Sequence, residues 1–134
     1  MREISVARFV RATPAELERT VTPPGIVEYE GSFSVREARE TGEGWVVVVR
    51  GGGMTFQLAF ERSEHGFRYE QRNGPLETLV TTIRWRAEND GARATMDSTV
   101  STGVPPRALT DRVAAWKRRG ELRRALDRLA ADVE

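Results

Sequence analysis

The chain has 134 residues, a net charge of +1 and no cysteine. That length suits one domain with its own core. The composition excludes disulfides, thiolate metal sites and cysteine nucleophiles, and the interspersed acids and bases leave no global field to draw the chain to nucleic acid.

Residues 2–11 alternate, with Ile4, Val6 and Val10 on one face and Ser5, Ala7 and Phe9 on the other. No apolar run there is long enough for export or a membrane span, so the expectation is a cytoplasmic protein without an integral membrane segment. Thr13-Pro14-Ala15-Glu16 then combines a cap, a proline at the first helical position and a carboxylate three residues after the cap. Thr22-Pro23 repeats the start, so two stubby helices are predicted at about 14–20 and 23–29. Six strands follow. "SFSVREARE" carries Phe33, Val35 and Glu37 in one phase, and "GWVVVVR" is a β-branched run. Gly51-Gly52-Gly53 turns the chain into a strand where Met54, Phe56, Leu58 and Phe60 alternate with polar or small residues. "FRYEQ" places Phe67, Tyr69 and Gln71 together. A long strand has Leu79, Thr81, Ile83 and Trp85 in phase, and the last has Ala94, Met96, Ser98 and Val100. After Val104-Pro105-Pro106, residues from about Arg107 to Val133 read as one long helix.

The expected architecture is α+β, in the order β-α-α-β6-α. About seven antiparallel strands form a curved sheet wrapped around the C-terminal helix, because a flat sheet would leave its inner aromatics in water. The order of elements, with the opening "ISVARFVRATPAELERTV", resembles the helix-grip fold of the START-like (SRPBCC) superfamily, which includes polyketide cyclase/dehydrase and lipid-transport types. The resemblance covers essentially the whole chain, 1–134, as a single domain. It implies that the two short helices form a V closing one end of the grip. It also implies an elongated, largely apolar cavity between sheet and helix, of the kind that holds lipids, polyketides or quinones. Some relatives are cyclases or dehydratases, and others only bind or carry.

Two groups of residues share the inward phases. Phe56, Leu58, Phe60, Phe67, Ile83, Trp85 and Met96 either fill a core or line a cavity. Tyr69, Gln71, Thr81 and Ser98 are polar, as are Glu37 and Arg8, and an ordinary core avoids such groups unless each finds a partner. One reading pairs Arg8 with Glu37, and the other makes the uncharged four hydrogen-bonding points for a ligand. The expected ligand-binding set is Phe56, Leu58, Phe67, Tyr69, Gln71, Thr81, Ile83, Trp85, Met96 and Ser98, with Val113 and Trp116 facing the cavity from the last helix.

No catalytic residue can be assigned. His65 lies in a turn, the glycine triplet lacks the Lys-Ser/Thr of a phosphate loop, and no metal-ligand spacing or serine elbow occurs. No cofactor or metal is expected. What the resemblance implies, and the function expected here, is binding or carrying of a hydrophobic small molecule such as a lipid, polyketide or quinone. One alternative is a polyketide cyclase/dehydratase-like enzyme using Tyr69, Glu37 or Arg8 as proton handlers, which convergence of Tyr69 with a carboxylate would favour. Another is a chaperone-activator-like module with a protein partner, and a homodimer also stays open.

The last helix carries two apolar stripes, Leu109-Val113-Trp116-Gly120 and Leu122-Leu126-Leu129-Val133, offset by more than a quarter turn. A bend at Gly120 would turn both to the sheet; the alternative is a straight helix whose C-terminal half packs against a neighbour or a partner. The basic run Lys117-Arg118-Arg119, with Arg123, Arg124 and Arg128, could touch acidic lipid head groups or a partner, but the interleaved Glu121, Asp127 and Asp132 favour a solvated face.

Overall fold

A computed structural model describes residues 1–134. Strand β1 (Arg2–Val10) leads into helices α1 (Pro14–Thr20) and α2 (Pro23–Glu30). Strands β2 (Ser34–Glu40), β3 (Gly44–Gly51), β4 (Met54–Ser63), β5 (Gly66–Arg72), β6 (Thr78–Glu88) and β7 (Gly91–Ser101) follow, and α3 (Arg107–Val133) ends the chain.

The two short helices begin where the cap signals place them. Thr13 Oγ1 accepts from the Glu16 amide at 3.2 Å, and Thr22 Oγ1 from the Gly25 amide at 3.1 Å, so each threonine satisfies an amide left over in a first turn. Gly31 closes α2 at φ +73°, a left-handed conformation that favours glycine.

All seven strands form one antiparallel sheet in the order β1-β7-β6-β5-β4-β3-β2. The meander from β2 to β7 follows from its hairpins, and β1 returns to pair along β7. A bulge between Val35 and Glu37 shifts the register of β2 against β3. Glu37 is consequently exposed, and Arg8 pairs across the molecule with Asp127 at 2.6 Å. The Arg8–Glu37 pair is not formed.

The inward phases match the alternation closely. Phe56, Leu58, Phe60, Phe67, Tyr69, Ile83, Trp85 and Met96 are all buried, and only Met54, at the mouth of β4, is exposed among the four expected there. Phe33 meets Phe56 edge-on at 4.9 Å, and Phe60 lies 4.7 Å from Tyr69. At one end, α1 closes over β6, where Trp85 Nε1 donates to Glu18 Oε1 at 3.2 Å.

Helix α3 packs on β1, β7 and α2. Its inward face is one straight stripe running through Asp111, Arg118, Leu122, Ala125 and Leu129, all buried. Leu109, Val113 and Trp116 lie on the opposite side and are exposed. This corrects the expectation that Val113 and Trp116 face the sheet. The expected bend also loses its purpose, because the helix needs none to bury a stripe whose first half is charged rather than apolar.

Candidate functional site

Arg118 enters from α3 into a position only 3% exposed, the costliest kind of site for a lone charge. Each of its five N–H groups is used. Nη1 donates to Glu30 Oε1 at 2.6 Å and to Glu121 Oε1 at 3.0 Å. Nη2 donates to the Tyr69 hydroxyl at 2.5 Å and to Thr81 Oγ1 at 2.7 Å, and Nε donates to Ser98 Oγ at 3.2 Å. The Tyr69 hydroxyl lies 2.8 Å from both Glu30 oxygens, and Thr81 and Ser98 hydroxyls share a bond at 2.9 Å.

The cluster thus ties α2, α3 and three strands together at one point. Burial opposes the Arg118 charge, but Glu30, Tyr69 and Glu121 more than offset it and hold the guanidinium protonated above its ordinary range. Burial lifts the Tyr69 hydroxyl well above its ordinary value; Arg118 pulls the other way and Glu30 adds to the rise. Tyrosine and carboxylate do converge here, at the distance an acid–base pair would use. Both are sealed, at 1% and 2% exposure.

Beside this cluster, between the open end of the sheet, the loop after α2 and the first half of α3, lies a cleft of about 290 Å³. Phe33, Leu76, Leu79, Val100 and Ala114 make its apolar walls, and Lys117, Arg118 and Glu121 its polar side. Ser32 also lines it, and its Oγ is the one buried side-chain polar atom in the protein without a hydrogen-bond partner. Ligand sites combine such an apolar lining with a few convergent polar groups.

None of the twelve residues singled out from the sequence lines this cleft. Tyr69, Thr81 and Ser98 meet around Arg118. Phe56, Leu58, Phe67, Ile83, Trp85 and Met96 sit in the packed core. Gln71 clasps the loop between β5 and β6, donating to the Leu76 carbonyl at 2.6 Å and accepting from its amide at 3.3 Å. Val113 and Trp116 are outside. The cleft residues that the pattern could have offered are Leu79 and Val100, which lie in the inward phase at the sheet end carrying the Gly51–Gly53 turn. Glu30, Arg118 and Glu121 gave no such signal, because a charged residue on a helix ordinarily reads as solvated.

An open antiparallel sheet, a pair of short helices after its first strand and a long closing helix define a START-like, helix-grip protein. The chain belongs to the polyketide cyclase/dehydrase and lipid transport family, whose model matches residues 1–134. Its fold is similar to that of a START superfamily protein from Mycobacterium smegmatis, with a TM-score of 0.73, 12% identity, and 98% of this chain and 99% of that one covered. It is also similar to TTHA0849 from Thermus thermophilus, with a TM-score of 0.69, 18% identity, and 99% and 100% covered. Protein CV1439 from Chromobacterium violaceum gives a TM-score of 0.60 and 18% identity, with 98% and 96% covered. No curated protein matches the chain in sequence. No helix is long and apolar enough to cross a membrane.

Proposed function

We propose that the protein binds a hydrophobic small molecule in the cleft between Phe33, Leu79, Val100 and Ala114. The observation that carries this reading is the unpartnered Ser32 hydroxyl in a cleft that sets the apolar side chains of Phe33, Leu76, Leu79, Val100 and Ala114 against Lys117, Arg118 and Glu121. A buried hydroxyl without a partner costs about 1–3 kcal/mol, and a ligand carrying one polar group would satisfy it. The volume is near the lower end for small-molecule sites, so the ligand is compact or leaves part of itself outside. Arg118 has no N–H left to offer, which assigns it to holding the wall rather than the ligand.

Native mass spectrometry of protein purified from its own host tests this reading. A co-purified apolar molecule is expected, retained by the native protein and lost when Ala114→Trp fills the cleft. Ligand-free protein that also fails to take up apolar probes would contradict it.

One observation favours a catalytic reading, the 2.8 Å approach of Tyr69 to Glu30. In that reading the ligand is converted, with Tyr69 as proton donor reached through movement of α3. The native protein would then change the bound molecule over time, and Tyr69→Phe would bind it unchanged.

A further inference from the structure

We infer that the outer face of the first half of α3 docks on the surface of an anionic lipid bilayer. The inference stands on that face alone and does not depend on what fills the cleft.

Leu109, Val113 and Trp116 are 57%, 57% and 77% exposed. With Gly120 they follow the +4, +3, +4 spacing of one helical face, nearly opposite Arg118 and Leu122. They form a ridge about 16 Å long at 1.5 Å per residue. Val104, also exposed, precedes the helix. Exposed apolar side chains aligned on one helix face mark a candidate interaction surface.

The charges beside the ridge are of one sign. Arg112, Arg119 and Arg123 flank it on one side and Lys117 and Arg124 on the other, all exposed. Arg112, Lys117, Arg119 and Arg123 take part in no ion pair and no side-chain hydrogen bond; their charges are free. The only acids between Arg107 and Arg124 are Asp111 and Glu121, and both are turned inward. Asp111 accepts from the Thr102 amide and the terminal ammonium, and Glu121 from Arg118. Farther along, Asp127 faces Arg8 and Asp132 accepts from Tyr29. The interleaved acids that make this helix look balanced in sequence are therefore spent on internal partners.

This charge pattern selects the occupant. Two copies pairing through the same face would set cations against cations, which argues against a second copy. The face is a convex ridge with cations along both sides. A flat anionic plane matches it without further shaping, with the apolar side chains in the interface and the basic groups at the phosphates. Trp116, the most exposed large side chain of the ridge, belongs to the residue type that favours such interfaces. Around Gly120, whose missing side chain leaves open space, a shallow hollow is lined by Trp116, Lys117, Arg119, Arg123 and Arg124, with Glu121, which Arg118 holds, as its one acid. A lipid phosphate fits there.

Sedimentation of the whole protein with vesicles tests the inference. Phosphatidylserine/phosphatidylcholine vesicles are expected to bind it at low salt, and phosphatidylcholine alone to bind it at least about tenfold less, since each basic group contributes only against a negative surface. Raised salt should weaken binding. Trp116→Ser, and separately Arg112→Glu with Arg119→Glu, should each lower binding at least about tenfold with unchanged melting temperature, because all three side chains are exposed. Trp116 should also be shielded from a water-soluble quencher by anionic vesicles, while Trp45 and Trp85 respond unchanged. Equal binding to neutral and anionic vesicles, no binding, or indifference to these variants would overturn the inference. So would binding of an acidic helical peptide by a face that ignores the vesicles, which would make it a protein-docking surface.

Discussion

Arg118 is the residue on which the interior turns. Its five donors meet two carboxylates and three hydroxyls, so removing it strands Glu30 in a site with no other full charge to balance it. Breaking a buried pair in this way costs about 3–5 kcal/mol. Arg118→Met is accordingly expected to lower unfolding free energy in urea by about that much, and a loss under about 1 kcal/mol would show that the cluster is relaxed or wet. The tyrosines give a second test. Tyr69 is held protonated by burial against the pull of Arg118, and Tyr29 by burial and by its bond to Asp132. Both hydroxyls are raised above the unfolded value of about 10. The stability they contribute is fully present below about pH 10 and is lost as pH rises through their folded values. Absorbance at 295 nm should stay low past that point and rise together with loss of structure. A tyrosine ionising freely near pH 10 in the intact fold would contradict the burial argument. In the sequence, Tyr69, Thr81 and Ser98 were legible as polar groups on inward phases. Their partners were not, because alternation marks a strand's inner face whatever its polarity, whereas a helix's inner face is recognised by being apolar.

At the scale of the element, α3 shows the same limit. Its C-terminal half was legible: Leu122, Leu126 and Leu129 are buried as their spacing requires. In the N-terminal half the buried stripe is Asp111, the partly buried Ala114 and Ala115, and Arg118, while the apolar stripe faces out. Hydrophobicity alone selects the wrong side there, and the apparent offset between stripes disappears once the charged side chains are placed inside. Gly120 then has no bend to accommodate. A Cβ at that position would meet nothing within 4 Å. Gly120→Ala should therefore stabilise the protein by up to about 1 kcal/mol through helix propensity and a less flexible unfolded chain. Thermal unfolding checks this, and a lowered midpoint would show a strain or contact at Gly120 that the open space does not suggest. The strands and short helices were legible almost to their ends, because turn glycines, threonine caps and period-two alternation all act locally.

For the whole molecule, the division of labour follows from where α3 lies. Its second half, with β1, β7 and α2, closes over a core in which Phe56, Leu58, Ile83 and Met96 are buried together. Its first half stands beside the open end of the sheet, where the Arg118 cluster fixes one wall of a cleft and Ser32 lacks a partner. The cleft was not legible because it depends on where loops and helix meet, and no periodicity encodes that. The proposed binding of an apolar molecule in this cleft can be tested by titration with an environment-sensitive naphthalene probe. The native protein should bind the probe saturably, Ala114→Trp should weaken binding at least about tenfold by filling the cleft, and Val113→Ser, one residue away on the exposed side, should leave it unchanged. Probe binding that ignores Ala114→Trp, or that is lost with Val113→Ser, would place the apolar site outside the cleft.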